Sequence, residues 1–122
     1  MTGAEFVVGV GLRPSVRAVD IVDAIREAVG DKVVRCLATV DRRAGEPGLV
    51  EAAAELGVPI VAFEVAELAE VEVPNPRART AAAIGVPSVA EAAALRAAAG
   101  GDLVVPKRVR PGITVAVARC PR

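Results

Sequence analysis

The chain has 122 residues and a mass of 12.4 kDa, the size of one domain with one core. Hydrophobic residues make up 53%, which excludes a disordered chain. Fifteen Lys and Arg balance fifteen Asp and Glu, and no Trp or Tyr is present, which speaks against a general nucleic-acid binder that needs basic excess and stacking platforms.

Phe6 to Val10 is a short β-branched run, read as a first strand buried on both faces. Gly11 to Ser15 is a loop, with Ser15 expected to cap a helix. Ala18, Ile21, Val22, Ile25 and Val29 follow the 3.6-residue period, and Gly30 ends the helix. Val33 to Thr39 is the second strand, followed by the polar loop Asp41 to Gly45. Pro47 starts the second helix at its first position and Gly57 stops it. Pro59 to Phe63 is the third strand, with a short helical stretch around Ala66 to Glu70.

Val73-Pro74-Asn75-Pro76 interrupts that pattern. Asn75 can be an N-cap, giving a helix to about Ile84 that stops at Gly85. Ser88-Val89-Ala90-Glu91 reads as a capping box for a further helix ending at Gly100. Leu103 to Arg108 and Ile113 to Arg119 are strands. Arg110-Pro111-Gly112 between them suits a type II turn, so the pair is an antiparallel hairpin. The expected fold is α/β: β-α-β-α-β, short helices, then a C-terminal β-hairpin. It forms a mostly parallel open sheet of about five strands flanked by helices, in a single domain over residues 1–122.

The chain has no His, which excludes Ser-His-Asp and Cys-His catalysis and all His-containing metal sites. Cys36 and Cys120 make no disulfide framework and read as small core residues. No uninterrupted apolar run of about 20 residues suggests a membrane span, and Met1-Thr2-Gly3-Ala4-Glu5 has no secretory pattern. A cytoplasmic protein is expected, without cofactor or metal and without nucleic-acid or membrane partners.

Ligands of open parallel sheets sit beyond the carboxyl ends of the strands. Gly11, Arg13 and Ser15 follow the first strand. Thr39, Asp41, Arg42 and Arg43 follow the second. Glu64 follows the third, and Asn75 lies on a later connection. The arginines would make this rim locally basic, and their forks suit carboxylates and phosphates. Gly9-x-Gly11 opens like a dinucleotide fingerprint, but Pro14 and Ser15 stand where its continuation should be. The two glycines equally suit a tight turn and close packing. Asp41 and Glu46 are candidate general bases beside Arg43, although a surface loop with ion pairs has the same pattern. Asn75 and Ser88 read as caps that can also show N–H groups to an anion. Lys107 is a lysine near the end of the fourth strand.

Several stretches carry a family resemblance in order and spacing. They are Val8-Gly9-Val10-Gly11, Thr39-Val40-Asp41, Glu46-Pro47-Gly48-Leu49 and Val73-Pro74-Asn75-Pro76. Gly85 to Ala94, Lys107 and Thr114 to Arg119 complete the set. Together they resemble the CobE protein and the C-terminal domain of CbiG, from cobalamin biosynthesis, over Val7 to Arg119. Leu12 stands where the family often has Cys, and Arg77 where Ser often follows the Asn-Pro. Arg43 keeps the charge of a family Lys.

The resemblance implies work on the corrin ring, whose intermediates carry many carboxylates. One expectation is a protein that binds or delivers a precorrin or corrinoid intermediate, with other cobalamin-pathway enzymes as further partners. Its contacts would be Gly9, Gly11, Arg13, Thr39, Arg42, Arg43, Asn75, Ser88 and Lys107. A second is a subunit or domain of cobalt-precorrin-5A hydrolase, which opens a lactone and releases acetaldehyde. Water would then be activated by Asp41 or Glu46, and Arg43 would stabilise the oxyanion. CbiG-like proteins do this with an additional N-terminal domain, which is expected to be missing here. A third is a nucleotide-binding or structural α/β domain sharing the fold.

Overall fold

A computed structural model describes residues 4–70 and 89–121. The chain runs β1 (Glu5–Leu12), α1 (Ala18–Val29), β2 (Val33–Val40), a single 3-10 turn (Asp41–Arg43) and α2 (Pro47–Leu56). It continues through β3 (Ile60–Phe63) and α3 (Val65–Ala69). Beyond the undescribed stretch come α4 (Val89–Ala98), β4 (Asp102–Arg110) and β5 (Ile113–Arg119). The helix expected from Asn75 lies outside the described residues.

The five strands form one sheet in the order β3-β2-β1-β5-β4. β1 and β2 pair in parallel, as do β2 and β3; β5 runs antiparallel to both β1 and β4. The α/β order and the C-terminal hairpin are those expected from the sequence. The return hairpin inserts β5 beside β1, so β4 takes the far edge. The tip of that hairpin therefore points the same way as the carboxyl ends of β1, β2 and β3.

Local chemistry explains most boundaries. Pro47 occupies the first turn of α2, and Gly57 closes it at φ 73°, ψ 31°, the left-handed cap a glycine takes without steric cost. Gly112 has φ 79° in the hairpin turn, as a type II turn requires. The Ser15 cap is corrected: α1 starts at an Arg17 N-cap with no side-chain cap bond, and Ser15 itself sits at φ 69°. The chain spends Ser15 on turning out of β1 before the helix begins.

The sheet has two unlike faces. On one, α1 and α2 pack Ile21, Ile25 and Leu49 against Val8, Val10, Leu37, Val115 and Val117. On the other, α4 lays Ala92, Ala93, Ala94 and Ala98 onto Val7, Cys36, Ala38, Ala118 and Cys120. Gly9 makes this second face possible. A Cβ there would run into the Ala90 carbonyl oxygen and lie 2.7 Å from the Ala94 nitrogen. Cys36 and Cys120 are both free and buried, as expected for core residues.

The edge strand β4 is irregular. Its register against β5 shifts between Leu103 and Val105 and again between Val105 and Arg108. Pro106 has no N–H to give, which suits an edge strand at a bulge. The neighbouring Lys107 N–H turns to α4 and donates to Glu91 Oε2 at 3.0 Å. Glu91 is 1% exposed, so its carboxylate ties the first turn of α4 to the bulge from inside the protein. On α3, Glu64 and Glu67 cap each other's backbone N–H groups, and Arg96 of α4 reaches Glu67 Oε2 at 3.3 Å. The Glu64 N–H, then the Arg96 guanidinium, hold the Glu67 carboxyl below its ordinary pKa.

Candidate functional site

Three loops meet at the carboxyl end of the parallel strands. The loop after β1 carries Arg13 and Ser15, the 3-10 turn after β2 carries Asp41, Arg42 and Arg43, and the hairpin tip carries Arg110 and Gly112. Backbone and side chains bind them together. Arg13 N–H donates to Gly112 O at 2.9 Å, extending the β1–β5 ladder past the strands. Arg43 Nε–H donates to Leu12 O at 3.0 Å. Ser15 N–H donates to Glu46 Oε1, also at 3.0 Å. Gly48 sits where any Cβ would run into the Val16 carbonyl oxygen, so α2 can start hard against the first loop.

The loop after β1 stands as a ridge between two shallow, open depressions. One, of about 490 Å³, lies between the first turns of α1 and α2 and is lined by Ser15, Arg17, Glu46, Gly48 and Glu51 among others. The other, of about 290 Å³, is lined by Gly11, Arg13, Arg110, Gly112 and Thr114 among others. Both are open to solvent. A flat ligand with charged groups on its rim could lie across the ridge.

The structure brings Gly11, Arg13, Arg43 and Glu46 into this one place. Arg13, Asp41 and Arg42 are exposed; Arg43 and Glu46 are partly buried. Thr39 lies beneath, fully buried, with its hydroxyl donating to Val10 O at 2.6 Å, so its proton is committed to the fold. Gly9 lies deeper still, under α4, where it serves the helix–sheet contact. Lys107 is apart from the loops, since β4 runs on to Arg110 and the Lys107 amide belongs to the bulge. Asn75 and Ser88 lie outside the described residues. α4 begins over Gly11, where a Cβ would lie 3.8 Å from the Ala90 nitrogen.

Arg110 is a rim residue that sequence reasoning missed. It pairs with Glu27 of α1 and lines the smaller depression. Its Arg-Pro-Gly turn is visible in the sequence. Its position on the rim is not, because that depends on β5 inserting next to β1.

Chemically, the rim offers several guanidinium groups on short loops held by long-range hydrogen bonds. Exposed guanidinium groups of this kind can pair with carboxylates or phosphates through two N–H donors. Glu46 and Arg43, the residues with the most obvious acid–base and oxyanion roles, each already have a backbone partner.

The model for the cobalamin synthesis G C-terminus family matches residues 6–118. The chain belongs to that family. It is similar to the solved structure of CobE, a protein from the cobalamin (vitamin B12) biosynthetic pathway, at 29% identity and a TM-score of 0.76. That match covers 97% of this chain and 92% of CobE. It is also similar to the cobalamin biosynthesis protein ChiG from Agrobacterium tumefaciens str. C58, at 33% identity and a TM-score of 0.68, over 93% of this chain and 96% of the other. A cobalamin biosynthesis protein G homologue from Sulfolobus solfataricus shares the fold at 18% identity and a TM-score of 0.75, over 98% of this chain and 38% of that longer one. Comparison with curated proteins gives no match. Among the described residues no helix is long and apolar enough to cross a membrane.

Proposed function

We propose that this protein of the cobalamin-synthesis family binds a polycarboxylate corrin-ring intermediate on the rim and delivers it to other enzymes of the pathway. The observation that carries this reading is the joining of the arginine-bearing loops: Arg13 and Arg42 stand exposed on two loops bonded to each other at the carboxyl edge of the sheet. Arg110, at the hairpin tip, lines the smaller depression with its guanidinium paired to Glu27. Acetate and propionate groups around a corrin ring would meet forks spread over the ridge and its two depressions, with the ring lying flat against it. Open depressions suit a ligand that must be handed on.

Binding is preferred to lactone hydrolysis because the rim is open: Asp41 is exposed and both depressions face solvent, where charge stabilisation is worth far less than in a water-excluded site. Glu46 Oε1 also accepts the Ser15 N–H, which ties this carboxylate to the loop and leaves Oε2 to face a water. Arg43 Nε–H is held by Leu12 O, so only its terminal N–H groups could meet an oxyanion.

The test is a visible-absorbance titration of a metal-free corrin polycarboxylate, hydrogenobyrinic acid, with the protein. Saturable binding is expected, weakened by salt because the rim charges are exposed. Arg42→Ala should raise Kd about tenfold, the loss of one charge-assisted contact. Absence of any spectral change or co-elution with the ring would overturn the proposal.

A further inference from the structure

Two hydrogen bonds bracket Arg13. On its N-terminal side Arg43 Nε–H holds Leu12 O at 3.0 Å, and on its C-terminal side Glu46 Oε1 holds the Ser15 N–H at 3.0 Å. Both clamping side chains come from the single connection after β2, and both reach across 31 positions of sequence. Between them, Ser15 adopts φ 69°, a left-handed conformation unfavourable to any residue with a β-carbon. Such a conformation persists only where the surroundings over-determine it. Its amide carries a charge-assisted bond, beside the Arg13 N–H bond to Gly112 O that also holds this loop.

The clamping groups and the clamped group also differ in exposure. Arg43 and Glu46 are partly buried, while Arg13 faces solvent. A loop that wandered would have to be ordered when a ligand arrived, and that ordering would subtract from the affinity. We infer that Arg43 and Glu46 are positioning residues: they lock the β1–α1 loop so that Arg13 is presented to ligand carboxylates in advance. This rests on the rim-binding reading above, and it assigns the two residues an indirect role rather than contact with the ring.

Arg43→Lys separates the two roles, because lysine keeps the charge but has no donor where Nε–H stands. Glu46→Ala removes the other bond. Two readouts are needed: amide hydrogen exchange of the ligand-free protein, and titration with hydrogenobyrinic acid. In both variants the Ser15 amide should exchange at least about tenfold faster, while amides of β1 and β5 keep their protection and so certify the fold. Kd should rise about tenfold in each. Adding either change to Arg13→Ala should cost nothing beyond Arg13→Ala alone, since the clamp acts through Arg13. Ser15→Gly in the Glu46→Ala background should recover part of the affinity, because glycine takes positive φ freely.

Unchanged exchange at Ser15 would overturn the clamp. Faster exchange with unchanged Kd, or Arg43→Lys binding as tightly as wild type, would overturn its part in binding. Should Glu46→Ala make β1 amides exchange as well, Glu46→Gln, which keeps an acceptor oxygen, takes its place under the same criteria. If wild type binds no ring while the exchange results hold, the binding reading fails and the clamp stands as a structural device.

Discussion

The two faces of the sheet solve the same packing problem with opposite materials. Under α1 and α2 the core is built from branched residues such as Ile21, Ile25, Leu37 and Val117, whose side chains fill the space between helix and sheet. Under α4 it is built mainly from alanines and two thiols beside Val7, Val40 and Leu68, and over the bare backbone of Gly9 the helix almost touches the strand. The first face is stabilised by apolar area removed from water. The second gains less area per residue and depends on distance. The face of large residues should therefore suffer most from lost volume, and the face of small residues from added volume.

The largest effect is expected on the face of large residues. Ile25→Ala should lower unfolding stability by about 4 kcal/mol, through lost transfer energy and a residual cavity, measured by urea denaturation. Gly9→Ala follows at about 3 kcal/mol, although it adds only a methyl group, because its Cβ meets a helix backbone that cannot rotate away. A loss below about 0.5 kcal/mol at Gly9, the scale of a surface change, would break the comparison. Glu91→Ala should cost about 2 kcal/mol by stranding the Lys107 amide at the bulge, and Glu91→Gln roughly half of that, since an acceptor oxygen remains.

The smallest effect on stability concerns the thiol on the α4 face. Burial first, and then the nearby Cys120, push the Cys36 thiol above its ordinary pKa. A folded-state value raised above the unfolded one means that this contribution to stability is complete below the unfolded value. It fades as pH rises through the folded value. At pH near 8, iodoacetamide should therefore label Cys36 at least about 100-fold more slowly in the native protein than in urea. Rapid native labelling would show that α4 lifts from the sheet, and the close-packed face would then be the weaker of the two.

Much of this was legible in the residues. The helix spanning Ile21, Ile25 and Val29 follows from a 3.6-residue period, and Pro47 and Gly57 bound α2 through backbone rules that operate within a few residues. The Arg-Pro-Gly turn specified a hairpin for the same reason. Arg13, Arg42, Arg43 and Glu46 could be assembled on one rim because parallel strands joined by right-handed crossovers put their following loops at the same end. Ser15 was misread because a serine before a helical period is a common cap. Nothing local reveals that a carboxylate 31 positions away holds its amide.

What the amino-acid order determined by itself was therefore the set of elements, their approximate ends and the end of the sheet on which charged loops gather. These depend on periodicity, caps and turns, interactions that close within one or two turns of chain. The tertiary structure alone decided that β5 lies between β1 and β4, that Arg110 joins the rim, and that Gly9 serves a helix crossing. It also decided that Thr39 faces inward to Val10, and that Arg43 and Glu46 hold a loop. Those facts depend on strand order and on contacts between distant segments, for which a linear pattern of residue types carries no distance information.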